Sequence, residues 1–540
     1  MIWRHWSSLL AGMGLIAVGL SGCGDNDSDG ETEAQTETVE IFMWDAPQFS
    51  TTLRQHIEQF EQQSDIDIEV QWVQEFGGIF DTIEQQAAQG GADFDLFFGS
   101  NIWIGDLVSL GFIDPLDTFI EADKDNDELA WDDVPEGLRR KNSWGGNTYS
   151  FIVDNDNQFL FYRKDIFNDS AVNTAYESWS GNPAGDPLEV PETIDELIQV
   201  ATFFQEEIEG GGLANYTDIE HSFVTNLRQG DQAYWYAYNF VAPYTVTPTS
   251  EAPAQGVMLF EPDMTPLVNT PGFIKGVEKW EEIIECCVDQ TVIDESEDGD
   301  YNENGSTDED PYYKLGRNAV RDLMVEGKAV MAIDWGDIGP ASVGDNSAVK
   351  GKIGFALPPG TTEYYNWQDD EWVEDLTDVH RAPVHQFNGW AWYMTANSDN
   401  KQAAWEFLRF LASPEVSRKD VADPAGGYQP WRTSHSTDLS NFEASGWATA
   451  DAEDYVETIL ANTNHPNAVF DLRIPGGADY GDTLAGHLMS IIGTPDAPDT
   501  HTEVSTAMSA CEADLDTITD DKGREPQERA YKSHLGIENN

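Results

Sequence analysis

The sequence predicts an α/β protein built from at least two compact lobes. Its 540 residues are more than one hydrophobic core usually organises. From residue 39 onward, apolar segments with strand spacing alternate with apolar segments with helix spacing, as they do in βαβ units. Hydrophobic residues make up 40% of the chain, and the 26 Phe, 18 Trp and 18 Tyr among them supply enough apolar volume for packed cores.

The first part of this pattern is a series of three strands and two helices. An apolar run at 39–44 predicts the first strand, and apolar residues at helical spacing over 53–60 predict the helix after it. Strict alternation at 66–72 predicts the second strand, helical spacing over 80–87 the second helix, and an apolar run at 94–98 the third strand.

The pattern resumes with an apolar strand at 158–162. The helix that follows Pro191 begins with Thr193 and Glu196 at the spacing of a capping box. A further helix is predicted at 273–280 and a buried strand at 329–333.

Other stretches interrupt or end this framework. Four segments rich in Gly, Pro and acidic residues predict surface insertions, at 178–191, 245–256, 294–311 and 361–386. The last residues, 521–540, are polar and predict a tail that frays.

The charge balance excludes one class of partner. The chain carries 99 Asp and Glu against 28 Lys and Arg, a net charge of -71, with carboxylates along its whole length. Such a chain repels phosphate backbones, so we expect no nucleic-acid partner. At about 1 M salt the Debye length falls to roughly 3 Å, which screens the self-repulsion of an acidic surface. We therefore expect a halophilic protein.

The first residues predict export. Basic residues precede a short, Gly-rich apolar run, and together residues 1–22 have the layout of a signal peptide. The run is too short for a membrane span, which needs about 20 apolar residues. Residues 23–38 are polar and acidic and predict a disordered tether. We expect an extracytoplasmic protein, in the periplasm or at the cell surface.

The end of that apolar run indicates the kind of signal. Leu20-Ser21-Gly22-Cys23 resembles the lipobox of bacterial lipoproteins. The resemblance implies cleavage before Cys23, a lipid on its thiol and anchoring in a membrane. The alternative is an ordinary signal peptide with a chance cysteine.

Three cysteines remain in the folded part: Cys286, Cys287 and Cys511. Export to an oxidising compartment permits one disulfide, for example from the vicinal pair to Cys511, and leaves one thiol unpaired. The pairing stays open at this point. The chain has no Cys-x-x-Cys, so zinc and thioredoxin-like chemistry find no support.

Several segments resemble one family. Two are a strand that ends in Trp44-Asp45 and the run Asp95-Leu96-Phe97-Phe98-Gly99-Ser100, and the others are Val190–Leu197, Met324–Met331 and Asn388–Trp392 continuing into Lys401–Leu408. In this order they resemble extracellular solute-binding proteins of carbohydrate ABC importers, over roughly residues 39–520.

The resemblance implies a type II-like periplasmic-binding-protein fold, in which hinge strands join two α/β lobes and the ligand lies in the cleft between them. Lobe 1 would comprise 39–153 and 388–432, and lobe 2 would comprise 154–387 and 433–520. The implied function is capture of a neutral carbohydrate or polyol by lobe closure and its delivery to a membrane permease. The implied protein is a monomer with no catalytic activity and no cofactor.

The candidate ligand residues have three origins. Ligands collect beyond the carboxyl ends of strands in open α/β sheets, and an aromatic cluster can supply a flat wall for a sugar ring. Strand ends give Trp44, Asp45, Ser100, Asn101, Trp335 and Asp337; the cluster around Trp235 gives that residue; and the resemblance adds Trp390 and Arg432. The alternative for each Trp is a place in the core, and for each Asp an ordinary acidic loop. For Arg432 the alternative is an internal ion pair.

One insertion resembles half of a calcium loop. Asp300, Asn302, Asn304 and Asp308 place oxygens at the right spacing around a glycine, but the twelfth position is Pro311 instead of Glu. Structural calcium and a merely solvated acidic loop both remain possible interpretations.

The rival functional class is a secreted, lipid-anchored glycoside hydrolase, because an aromatic cleft with paired carboxylates also suits hydrolysis. The ordered segments favour a binding protein over this alternative. The identity of the ligand stays open, and a quaternary ammonium compound could use the same aromatic rings.

Overall fold

The computed structural model describes residues 37–74, 77–228, 232–250, 256–289, 315–492 and 502–537. The expected signal peptide, Cys23 and the expected calcium loop with Asp300, Asn302, Asn304 and Asp308 lie outside these residues. Among the described helices, none combines the length and the apolar character needed to cross a bilayer.

Fifteen strands are described. They are Glu37–Trp44 (β1), Ile66–Val73 (β2), Leu96–Ser100 (β3), Ser143–Trp144 (β4), Asn147–Thr148 (β5), Ser150–Asp154 (β6), Gln158–Arg163 (β7), His221–Val224 (β8), Ala329–Trp335 (β9), Ile353–Ala356 (β10), Tyr364–Asn366 (β11), Glu371–Val373 (β12), Val384–His385 (β13), Trp390–Met394 (β14) and Val469–Phe470 (β15).

Twenty α-helices are described as well. They are Pro47–Glu61 (α1), Gly77–Gln89 (α2), Ile104–Ser109 (α3), Asp117–Asp123 (α4), Glu136–Lys141 (α5), Lys164–Phe167 (α6), Ser170–Ser178 (α7), Ile194–Gly210 (α8), Ala233–Thr245 (α9), Pro271–Cys287 (α10), Arg317–Val325 (α11), Ile338–Val343 (α12), Lys401–Ala412 (α13), Pro414–Asp420 (α14), Ser434–Thr437 (α15), Ser440–Ala444 (α16), Thr449–Thr463 (α17), Gly477–Ile492 (α18), Val504–Lys522 (α19) and Arg524–Leu535 (α20).

Two sheets form the centres of two lobes. The first has the strand order β2-β1-β3-β14-β6, with β1 parallel to β2 and β3, and with β14 antiparallel to β3 and β6. The second has the order β10-β7-β9-β8, in which β8 and β9 are parallel and β7 is antiparallel to both β9 and β10. The strands of both sheets are mostly buried, because helices cover them. The predicted two-lobed α/β fold is confirmed.

The chain passes between the sheets through short segments. Only Asn155–Asn157 separate β6 of the first sheet from β7 of the second. We call 387–389 the second crossing; it leads into β14 of the first sheet from β13, which pairs with β15 outside both central sheets. Three successive residues there have left-handed φ angles, of 59°, 59° and 78°. A Cβ on Gly389 would collide with the carbonyl of Asp154, so the two crossings lie against each other.

The elements predicted from periodicity are present, with ends shifted by a few residues. The capping box is also confirmed: the Thr193 hydroxyl accepts from the Glu196 N–H, and the Glu196 carboxylate accepts from the Thr193 N–H. The expected insertion at 361–386 is more ordered than predicted, because β11 and β12 form a hairpin there.

The structure differs from two further expectations. The described part of the expected tail 521–540, residues 521–537, is not frayed, since it contains α20, whose Tyr531 is buried and donates a hydrogen bond to the carbonyl of Phe260 at 2.9 Å. The few apolar side chains of α20 lie on one face of the helix, and the many polar residues around them obscure this periodicity in the sequence. The example pairing to Cys511 is also wrong: Cys286 and Cys287 form the disulfide, and Cys511 is a buried thiol.

Candidate functional site

A cavity of about 360 Å³ lies between the two sheets, against both crossings. Lobe 1 contributes an aromatic wall and the loop 424–427, and lobe 2 contributes the end of β9, the start of α11 and part of α12. The lining residues are Trp44, Gln48, Phe49, Asp154, Asp156, Gln232, Arg317, Asn318, Arg321, Trp335, Asp337, Ala341, Phe387, Trp390 and Pro424–Gly427.

The wall of lobe 1 is a set of packed aromatic rings centred on Trp390. This indole lies nearly parallel to the ring of Phe98, with 5.0 Å between centroids, and is stacked with Trp44 at 5.7 Å. Phe49 of α1 packs against it at 5.5 Å. Because the rings fix one another, Trp44 and Trp390 present rigid apolar surface to the cavity.

The wall of lobe 2 is built around Trp335, the last residue of β9. Its indole N–H donates a hydrogen bond of 2.8 Å to the side-chain oxygen of Gln232. Trp235 packs against the ring in a T-shaped arrangement, with 5.9 Å between centroids. The indole is therefore held by one polar contact and one edge-to-face aromatic contact, which fix its orientation toward the cavity.

Charged groups lie beside this wall. Arg321 of α11 donates to the carboxylate of Asp337 at 2.6 Å, and Arg317 lies one helical turn earlier on the same face. The Nε of Arg321 is buried and has no hydrogen-bond partner among the described residues. A buried donor of this kind favours an acceptor on a ligand.

A pair of carboxyl groups on the first crossing completes the site. The backbone N–H of Gln429 donates to Asp154 at 2.7 Å, and the side-chain amide of Gln429 donates to Asp156 at 2.7 Å. Burial raises the pKa of both aspartates well above the usual value, and the nearby carboxylate of Asp337 raises them further. The second oxygen of Asp154 is buried without a partner among the described residues.

Four of the residues predicted from sequence line the cavity together: Trp44, Trp335, Asp337 and Trp390. Two others lie behind it and hold the second crossing or its neighbours. The Ser100 hydroxyl donates to the carbonyl of Phe387 at 2.8 Å, and the Asn101 amide donates to the carbonyl of Lys141 at 2.6 Å. Both side chains are buried.

Three further predicted residues, Asp45, Trp235 and Arg432, are also absent from the cavity lining. Asp45 points away and forms an ion pair of 2.9 Å with Arg54. Trp235 contacts Trp335 and Phe387 and so lies one layer behind the lining. The structure therefore gives Trp235 the place of a support for the wall.

Arg432 has a different environment from the one expected for a ligand contact. Its guanidinium is fully buried and donates to the main-chain carbonyls of Leu129, Ala130 and Ala412, with Asp133 at 3.4 Å. Burial lowers the pKa of Arg432 to about 10. The side chain joins three segments of lobe 1, in agreement with the internal pairing that was the alternative.

The residues that sequence reasoning missed come from segments without a strand-end position. Asp154 and Asp156 belong to a short polar run, 154–157, between two apolar strands. This abrupt change from apolar to polar residues could have indicated them as site candidates. Arg317 and Arg321 are four residues apart in a chain with few arginines, which is a weaker one. Gln232 and the loop 424–427 carry no signal that sets them apart locally.

Two lobes, short crossings and a cavity between them define a two-lobed binding protein. The sequence matches the family described as bacterial extracellular solute-binding protein over residues 46–417. Since this match covers more than half of the chain, the chain belongs to that family.

Solved structures of similar fold agree with this assignment. An ABC transporter solute-binding protein from Agrobacterium radiobacter K84, in complex with ribitol, is 18% identical with a TM-score of 0.61, and the match covers 89% of this chain and 98% of that one. The maltose-bound MalE3 of T. maritima is 18% identical with a TM-score of 0.58, covering 89% and 99%. A solute-binding protein from Agrobacterium vitis S4 with D-mannitol is 16% identical with a TM-score of 0.59, covering 90% and 99%.

Proposed function

We propose that this protein captures a neutral carbohydrate or polyol for an ABC import system. The observation that carries the proposal is the cavity between the lobes, where Trp44 and Trp390 of one lobe face the same space as Trp335 of the other. The ring face of a sugar carries C–H groups, and rigid indoles offer a matching apolar surface. The ribitol, maltose and D-mannitol of the similar structures support this class of ligand.

The polar groups of the cavity suit hydroxyls. A hydroxyl both donates and accepts, and the site holds an unpartnered acceptor oxygen on Asp154 and an unpartnered donor on Arg321. Three aspartates and two arginines line the cavity. Since these charges largely cancel, the site supports an uncharged ligand over an anion or a cation.

Capture works by a shift in population. A ligand that contacts both walls binds the closed arrangement more tightly than an open one, so its binding energy favours closure. Closure also removes water from the cavity, which strengthens each hydrogen bond to a hydroxyl. The closed complex would then meet a membrane permease, and ATP would be hydrolysed on another subunit of the importer.

The proposal includes release of the ligand intact. The rival interpretation, a glycoside hydrolase, would use Asp154 and Asp156 as its acid and its base or nucleophile. Incubation with maltose and longer oligosaccharides distinguishes the two, because appearance of shorter products would favour the hydrolase. We expect the oligosaccharides to stay uncleaved at full occupancy of the site.

We further propose that the mature protein is a lipoprotein anchored through Cys23 outside the cytoplasm and that it acts as a monomer in salt-rich surroundings. The lipobox-like segment and the net charge of -71 support these points. Replacement of Cys23 by Ala tests the anchor: the variant should leave the membrane fraction. Continued membrane association of that variant would contradict a lipid anchor.

A thermal-shift experiment in molar NaCl tests the proposed ligand class. Ribitol, D-mannitol and maltose are added separately to the full chain, and a ligand that binds only the folded form raises the melting temperature. We expect a rise with at least one of them in the unaltered protein and a much smaller rise in Trp335→Phe. Trp179→Phe is the matched control, because Trp179 lies outside the cavity lining and contacts Glu206 instead. Equal shifts in both variants would contradict the proposed site.

A further inference from the structure

Gln429 occupies an unusual place between three parts of the molecule. It follows the cavity loop 424–427, which packs on lobe 1 through a hydrogen bond of 3.1 Å from the Gly427 N–H to the carbonyl of Gln48. The side chain of Gln429 is fully buried, although it is not itself part of the cavity lining. It is therefore positioned to act on the site through other residues.

Its first contacts are with the carboxyl pair of the crossing. The backbone N–H of Gln429 holds Asp154 and its side-chain amide holds Asp156, both at 2.7 Å. One residue thus fixes both carboxyl groups that face the cavity. Loss of the amide would remove the hydrogen bond that orients Asp156, so its carboxyl group would be free to turn.

Its other contact is with lobe 2, at Gly336 between Trp335 and Asp337. A Cβ built on Gly336 would lie well inside van der Waals contact with the Gln429 side chain, to which all three of its nearest atoms belong. The backbone at Gly336 is outside the left-handed region, so its conformation alone does not require glycine. The lack of a side chain at this position is what admits the amide of Gln429.

The side-chain oxygen of Gln429 adds an independent observation. It is buried and has no hydrogen-bond partner among the described residues. An uncompensated acceptor costs free energy, and an apolar side chain of similar length would avoid that cost. That cost is offset if the hydrogen bond from the amide N–H₂ is what orients the Asp156 carboxyl group.

We propose that Gln429 is the positioning residue of the site: it ties the lobe 1 loop to the Asp154–Asp156 pair and packs against Gly336, so that it orients the carboxyl groups and favours the closed arrangement of the two lobes. This inference rests on the proposed function for its ligand and on the contacts of Gln429 for its mechanism. Gln429 touches no ligand in this scheme and acts through the aspartates and through lobe 2.

The test uses Gln429→Ala, Gly336→Ala and the double variant. In Gly336→Ala the new methyl group displaces the amide, and in Gln429→Ala the amide is absent, so each should bind the ligand about tenfold more weakly. Both changes act on one contact, so the double variant should be no weaker than Gln429→Ala. Gly486→Ala is the control, since Gly486 lies on α18 with open space around a Cβ.

Two measurements are made on the full chain in molar NaCl. Calorimetric titration with ribitol, D-mannitol and maltose gives affinity, and small-angle X-ray scattering gives the radius of gyration without ligand. We expect a larger radius in Gly336→Ala and Gln429→Ala than in the unaltered protein and Gly486→Ala. Two results would overturn the proposal. One is a Gly336→Ala variant that binds the ligand as tightly as the unaltered protein; the other is a double variant whose fold-loss of affinity equals the product of the two single-variant losses.

The two proposals fail in different ways. If none of the three probes binds the unaltered protein, the proposed function is contradicted, and the scattering comparison then decides the role of Gln429. If Gly336→Ala does not fold, Gln429→Ala decides alone, because removing the amide creates no clash. An unchanged radius and affinity in Gln429→Ala would overturn the proposal in that case.

Discussion

The hydroxyl of Tyr236 on α9 donates a hydrogen bond to the carboxyl group of Asp334, the residue before Trp335 in β9. Asp334 is fully buried, and its second oxygen has no partner among the described residues. Burial raises the pKa of Asp334 to about 7. A buried titratable group thus lies next to Trp335 in β9, so the stability of the lobe 2 wall depends on pH.

This arrangement predicts a pH-dependent effect of Asp334→Asn. Because the pKa in the folded chain is above that of the unfolded chain, near 4, the stability that protonated Asp334 contributes is fully present below pH 4 and is lost as the pH rises to about 7. The variant does not titrate, so it should gain stability relative to the unaltered protein across this window, by up to about 1.4 kcal/mol per pH unit. Urea unfolding of both proteins from pH 4 to pH 8 measures it, and a constant difference would contradict the assignment.

The buried guanidinium of Arg432 predicts a loss of stability without a change in specificity. Replacement by Met keeps the length but leaves the carbonyls of Leu129, Ala130 and Ala412 without their donor. Each orphaned buried group costs about 1–3 kcal/mol, so we expect a destabilisation of several kcal/mol. Ligand affinity of the folded fraction should stay within about twofold, because Arg432 is outside the cavity lining. A large loss of affinity with normal stability would restore the ligand-contact interpretation.

The packing of α20 predicts that the C-terminal segment stabilises the fold. Tyr531 is buried and bonded to Phe260, so Tyr531→Ala should cost about 3–5 kcal/mol, the usual range for removing a large buried aromatic ring. Arg529→Ala, at an exposed position of the same helix, is the control and should cost less than about 0.5 kcal/mol. Chemical denaturation measures both, and equal effects would show that α20 packs only loosely.

The net charge predicts dependence on salt. With a net charge of -71, mutual repulsion of carboxylates favours expanded states in dilute buffer, and molar NaCl screens it. We expect a cooperative thermal transition in molar salt that shifts to lower temperature and broadens on desalting. Sucrose at matched viscosity, which does not screen charge, serves as the control. Equal melting in dilute buffer and molar NaCl would contradict a halophilic protein.

The position of the Trp390 indole predicts that its replacement lowers ligand affinity strongly while the protein still folds. Trp390→Leu removes the ring that stacks with Trp44 and Phe98 but keeps an apolar side chain, so the variant should fold with a reduced melting temperature. We expect affinity for the bound sugar or polyol to fall at least tenfold in the folded protein, since a flat face is lost from the cavity. Isothermal calorimetry below the melting temperature measures this, and unchanged affinity would exclude Trp390 as a ligand contact.

The sequence alone determined the elements and much of the aromatic wall. Periodicity located β1, β2, α8 and β9, because each element buries one face or both and this burial sets the spacing of its apolar residues. Trp44 and Trp335 were found because strand ends meet ligands in sheets of this kind, and Trp390 was found because its segment resembles a known family. Local patterns of this sort survive in a single sequence.

The tertiary structure alone decided which polar groups share the cavity. Asp154 and Gln429 are 275 positions apart, and the guanidinium of Arg432 meets carbonyls about 300 positions away. Whether a charged side chain faces a ligand or satisfies a buried main chain depends on which segments surround it after folding. No local pattern records those neighbours, since the free energy of burying a polar group is set by partners that only the folded chain supplies.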